Sequence, residues 1–131
     1  MEINFKNINE LIEFQAINKY LFMAYSPEKQ KKLWNIIAKY DKTNFEVIKK
    51  EFLEIYYEII KEEITKWKYI NAISHMFWYF KKEITKEEKN EFEKLTKIYL
   101  DNNIETEILL KFIKKLSIKY KKDYIEKQSI L

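Results

Sequence analysis

The side chains best equipped for chemistry gather in residues 71–82, which hold the only histidine, His75, and one of three tryptophans, Trp78. At about 100° per residue on a helix, Asn71, Ser74, His75, Trp78 and Lys82 fall on one stripe, joined by Trp67. Such a stripe has the chemistry of a shallow recognition surface. Trp78 would stack on a base or another planar group, Lys82 would meet a phosphate, and His75 and Asn71 would bond an edge. A second arrangement satisfies the same residues. If the helix is surrounded on all sides, Trp67 and Trp78 are packing residues and His75 with Asn71 is a satisfied buried polar pair. The burial habits of Trp and His favour that second arrangement.

A second candidate is a lysine line. Lys111, Lys115 and Lys119 repeat at i,i+4, with Lys114, Lys121 and Lys122 beside them and no acid before Asp123. The line would track a phosphate backbone. It also reads as a solvated face whose last lysines complement the helix dipole, and that is the commoner meaning of such a run. Acid–base catalysis by His75 needs a carboxylate within hydrogen-bond reach, and the sequence nominates none.

Composition excludes more than it assigns. There is no Cys, so disulfides, thiolate zinc sites, iron–sulfur ligation by cysteine and a cysteine nucleophile are out. A single His excludes a multi-histidine metal site, and no Glu-x-x-His pair of the bundle di-metal type occurs. No cofactor is expected. No Gly is present, which removes the P-loop and the dinucleotide fingerprint and disfavours hairpins. Net charge is +4. The surplus lies beyond residue 60, since residues 1–60 hold nine Lys and nine acids. Every basic residue is Lys, and Arg is the better residue for bidentate phosphate contacts. The lysine excess therefore reads as an AT-rich coding sequence rather than as nucleic-acid recognition. Residues 1–9 show no signal-peptide pattern, and no run approaches the ~20 apolar residues that span a bilayer. The expected compartment is the cytoplasm, with no membrane contact.

The elements that would position these side chains are helices, about six of them in one all-α bundle spanning 1–131. Asn7 with Glu10 forms a capping box, opening a helix with Ile8, Leu11, Ile12, Phe14, Ile17, Leu21 and Ala24 inward that ends near Tyr25. Ser26-Pro27 supplies a cap and a first-turn proline for a second helix, to about Tyr40. A box over Thr43 and Glu46 opens the third, with Phe45, Ile48, Phe52, Ile55, Tyr56 and Ile59 inward and an extension toward Ile64. Thr65 marks a break before the central helix, 66–82, whose core face is Ile70, Ile73, Met76, Phe77, Phe80 and Ile84. Thr85 with Glu88 opens the next helix, Asp101-Asn102-Asn103 turns, and the last long helix, 105–119, places Ile108, Leu109, Phe112, Ile113 and Leu116 inward. Residues 120–131 would add one more turn.

Laid in order, these phrases resemble the YbgA-like family, a bacterial domain of unknown function. The central phrase of that family, close to HxNVLQHxxGYFKK, matches Tyr69 through Lys82, and its LSxxEKxE start matches Ile84 through Glu91. An early FHxxHKxLLMAHSP corresponds to Phe14 through Pro27, and a terminal YLxxQxYL to Tyr124 through Leu131. Gln15, Asn18, Tyr25 and Tyr69 stand where the family has His, Phe112 stands at another, and Trp78 replaces a Gly. Only His75 is retained. The family's domains occur alone or behind a Cys-rich domain similar to thiouracil desulfidases. The resemblance therefore implies an accessory helical domain working near thiolated nucleobases or tRNA.

The expectation is a non-catalytic accessory module that weakly binds RNA or a nucleotide through Asn71, His75, Trp78 and Lys82, with Lys111, Lys115 and Lys119 as backbone contacts. The alternative is a protein-binding inhibitor or adaptor, such as a phage-type anti-defence or anti-CRISPR protein reusing this domain, with Trp34, Trp67 or Trp78 as anchors.

Overall fold

A computed structural model describes residues 3–131; Met1 and Glu2, part of the stretch searched for a leader, lie outside the described residues. Among those residues the chain is all helix and turn, with no strand. Eight α-helices follow in order: α1 Ile8–Ile17, α2 Lys19–Tyr25, α3 Pro27–Ala38, α4 Phe45–Ile59, α5 Lys66–Phe77, α6 Lys86–Leu100, α7 Thr106–Lys119 and α8 Asp123–Glu126. A 3₁₀ turn, Trp78–Phe80, extends α5. None of the helices is long and apolar enough to cross a membrane.

Several starts follow the capping chemistry in the sequence. Ser26 Oγ accepts from the Lys29 amide at 3.2 Å with Pro27 in the first turn. Thr85 and Glu88 cap each other reciprocally, at 3.1 Å and 2.9 Å. Asn7 accepts from the Glu10 amide at 3.0 Å, but the Glu10 carboxylate reaches the Lys6 amide instead of returning to Asn7. The box expected at Thr43 does not form. Asp41 captures both the amide and the hydroxyl of Thr43, so Asn44 takes the cap position with its own side chain turned back to the Lys39 carbonyl. With no glycine to take positive φ, Lys42, Asn102 and Lys121 do so at 76°, 64° and 55°. Asn102 lies in the Asp101-Asn102-Asn103 turn, where an Asn is expected in that role.

The count of about six helices falls short for two reasons. The tail folds a short α8, and the first expected helix is two. Asn18 Nδ2 donates to the Phe14 carbonyl at 2.9 Å, interrupting the helix, and the C-terminal segment fills the gap. Gln128 donates to the Ala16 carbonyl and accepts from the Tyr20 amide, while the Ser129 amide donates to the Ile17 carbonyl. The break shifts the apolar register, so Ile12 and Ile17 lie exposed rather than inward. Likewise α4 stops at Ile59, because Glu62 turns to pair with Lys29 at 2.9 Å and Lys68 at 3.6 Å, leaving Thr65 to cap α5. Ile108 is exposed on α7.

The buried side chains form two clusters. One holds Phe5, Leu11, Leu33, Ile37, Ile48, Phe52 and Ile59; the other holds Ala72, Ile73, Met76, Phe80, Leu109, Ile113 and Ile125. Helix α2 serves both, sending Phe22 into the first and Tyr20, Met23 and Ala24 into the second. Helix α5 packs on α2 and α7, and these neighbours cover only one of its faces.

Candidate functional site

That one-sided packing decides between the two readings of the central stripe. Ala72, Ile73, Met76 and Phe77 are buried, whereas His75 is exposed and Asn71 and Ser74 are half-buried. After Phe77 the backbone tightens into the 3₁₀ turn, which sends Phe80 fully into the core and leaves Trp78 and Tyr79 outside. The expectation that Trp67 and Trp78 pack in the interior is overturned: they are 69% and 65% exposed, and Trp34, offered as an anchor, is 54% exposed. An indole left in water forfeits a large burial gain, so three on one small chain are a surface feature that folding alone does not require.

All three flank His75. Trp78 lines a 460 Å³ depression with His75, Lys81 and Lys82. Trp67 and Asn71 line a second, of 370 Å³, with His75 and Lys31. Trp34 lines the third and largest, a 680 Å³ cleft with His75, Gln15, Gln30 and Lys19. His75 therefore stands where three depressions meet, with one indole in each. The sequence-predicted residues Asn71, His75, Trp78 and Lys82 are brought to this one face. Trp34, Gln15, Gln30, Lys19 and Lys31 join them from α1, α2 and α3. Sequence reasoning named Trp34 only as a protein-binding anchor and did not join this half to His75; its other pointer was Gln15, which stands at a histidine position of the resembled family. Of the other such positions, none borders these depressions.

The face is electropositive. Among the described residues Lys19, Lys31, Lys81 and Lys82 have no ion pair, while Lys68 pairs with Glu62 and Lys122 with Glu83 at 2.8 Å. Lys81 Nζ lies 5.9 Å from the Trp78 ring centroid, within cation–π range. On its other side Trp78 borders a 460 Å³ slot floored by Phe77 and Phe92, whose rings stack at 4.0 Å. Among the described residues His75 makes no hydrogen bond or ion pair with a carboxylate, and no three potential metal ligands gather anywhere.

Of the lysine run, Lys122 borders the depression of Trp78, whereas Lys111, Lys115 and Lys119 line none of the three. Lys111 and Lys115 are exposed, but Lys119 Nζ is engaged by Glu88 at 2.7 Å. Glu88 also accepts from the Tyr120 hydroxyl and the Thr85 amide, clamping the start of α6 to the end of α7. Burial pushes the Glu88 carboxyl up, but the bonds from Lys119, Tyr120 and Thr85 outweigh it and hold the pKa at about 2, below the ordinary 4.5. A carboxyl depressed on folding contributes stability that is present above its unfolded pKa and lost as pH falls toward the folded one. Acid titration should therefore show a loss between about pH 4.5 and 2 that Glu88→Gln removes, read as the difference in unfolding midpoint across that window.

The family model described as "Protein of unknown function (DUF1722)" matches residues 19–131. No curated protein and no solved structure shows a significant match to the chain.

Proposed function

The chain belongs to that family of unknown function, the same one that its central phrase resembles, and from this premise we propose that it is a non-catalytic accessory module that binds RNA. The observation that carries the reading is the convergence of all three tryptophans around His75 on one face, beside four lysines without acidic partners. Indole faces stack on unpaired bases with little regard to sequence, and unpaired ammonium groups attract the phosphates between them. His75 with no carboxylate beside it has the equipment to donate or accept one hydrogen bond, and lacks the partner that a general base requires. The context implied by the resemblance, thiolated nucleobases or tRNA, makes a structured RNA with exposed bases the natural substrate class. Cytoplasmic work belongs to this same proposal.

Fluorescence anisotropy with an RNA stem–loop that carries an unpaired loop, beside a single-stranded RNA oligonucleotide, tests it. Affinity should fall with salt at a slope of roughly −0.7 per phosphate neutralised, so about −2 to −3 for the four free lysines. Trp78→Ala should weaken binding by roughly 1–3 kcal/mol if a base stacks there. Absence of binding at low salt would end this reading.

The same exposed indoles would serve as anchors for a protein partner, since Trp is enriched among interface hot spots. An inhibitor or adaptor of that kind, anti-defence proteins included, would keep its affinity in high salt, because buried aromatic contacts are not screened. Retention of one specific host protein at 0.5 M salt, lost in Trp67→Ala, is the result that would favour it over RNA.

A further inference from the structure

Gln15 of α1 and Gln30 of α3 are only 4% and 5% exposed. A side chain buried that deeply normally has its amide paired, because a lost partner costs about 1–3 kcal/mol. Gln128, equally buried, bonds the Ala16 carbonyl at 2.8 Å and the Tyr20 amide at 3.2 Å. The side-chain amides of Gln15 and Gln30 bond no described residue, and they do not bond each other. Yet no side-chain polar atom among the described residues is both sealed from solvent and unpaired. Their amide ends therefore reach solvent on this face, where both line the 680 Å³ depression bordered by Trp34 and Gln30 also borders the depression of Trp67.

The lining selects what would fit. Each amide offers one donor and one acceptor in a plane, which matches a planar group carrying the same pair on its edge. No carboxylate lines the cleft, so a cation would find no counter-charge, and an anion alone would need the lysines but not the glutamines. Trp34, half outside, offers a flat apolar face, and Lys19 and Lys31 lie at the margin. A polar heterocycle joined to a phosphate uses all of these. The volume lies within the ~300–1,000 Å³ typical of small-ligand sites.

We propose that this cleft holds one nucleobase, its edge bonded by Gln15 and Gln30, its face on Trp34 and its phosphate toward Lys19 and Lys31. This deepens the RNA-binding reading and rests on it. Among the four bases the cleft favours adenine. With its base unpaired, adenine carries that donor–acceptor pair on two adjoining edges, N6/N1 and N6/N7, one for each glutamine, whereas guanine has two acceptors at O6/N7 and cytosine and uracil offer a single donor of this kind. A purine also covers more of the indole than uracil does.

The test is NMR of the full chain, following the Trp34 indole N–H and the two glutamine side-chain amides during titration with AMP, GMP, CMP and UMP. AMP should give saturable shifts at all three groups, with at least roughly tenfold weaker binding of the other three. Gln30→Met keeps the volume and deletes an amide that the fold does not use. It should weaken AMP about tenfold and leave the unfolding midpoint unchanged or higher. A fall in that midpoint would make Gln30 a structural residue and overturn the proposal, as would equal shifts from all four nucleotides. No shift from any nucleotide, with RNA oligonucleotides still binding, would overturn the cleft and leave the RNA reading standing. Shifts from AMP without any oligonucleotide binding would keep the cleft and remove the RNA reading.

Discussion

Gln128→Leu is expected to unfold at a temperature roughly 8–24 °C below the parent chain. Leu fills a similar space, so the loss comes from polar groups and not from a cavity. The Tyr20 amide lies at the start of α2, where the break after α1 parts it from the Ala16 carbonyl four residues back, and Gln128 Oε1 is its partner at 3.2 Å. The Ala16 carbonyl at the end of α1 loses the Gln128 amide at 2.8 Å in the same change. Two backbone groups stripped of partners in a buried setting cost about 2–6 kcal/mol together. At this chain length each kcal/mol moves the midpoint by about 4 °C. Calorimetry on Gln128→Leu beside the exposed control Lys127→Ala checks it. A shift within about 2 °C of the control would show that Tyr20 finds another acceptor and that the α1–α2 break does not depend on the C-terminal segment.

The second large effect lies beneath the candidate site. Phe80 is fully buried and closes the 3₁₀ turn that carries Trp78 and Tyr79. Its carbonyl accepts from the amides of Glu83 at 2.9 Å and Ile84 at 2.8 Å, so the chain leaving α5 is pinned at this residue. Phe80→Ala should cost about 3–5 kcal/mol through lost transfer and cavity terms. The loss should not stop at stability. With the turn unpinned, Trp78 would sample several positions, and RNA affinity should drop although Phe80 itself is out of reach of any ligand. Phe80→Leu keeps most of the volume and should cost less than half as much. Denaturant melts of both variants, with near-ultraviolet circular dichroism at conditions where each is folded, separate the two effects. Equal loss in Phe80→Leu and Phe80→Ala would mean that ring shape, not volume, holds the turn.

Much of the scaffold was legible because local chemistry wrote it. Ser26-Pro27 and the Thr85–Glu88 pair announce helix starts through atoms a few residues apart, and those starts stand. What failed depended on distant atoms or on a competitor. The break at Asn18 is completed by Gln128 and Ser129, over a hundred residues away in sequence. Thr43 reads as a cap until Asp41 takes its hydroxyl at 2.7 Å. The site divides in the same way. One helix period brought Asn71, His75 and Trp78 to a single stripe, because spacing alone fixes which residues share a face. Whether that face is covered is a property of the bundle, and general burial habits pointed the wrong way. The contributions of Gln15, Gln30 and Trp34 come from two other helices, and nothing in their own segments says that they meet His75.

Helix α2 offers a last consequence. It is seven residues long, yet it presents Phe22 to one cluster and Tyr20, Met23 and Ala24 to the other. Neither cluster can come apart without removing a wall from its neighbour. The two halves are thereby bound into one cooperative unit, and a segment too short to hold a helix by itself becomes the element through which they communicate.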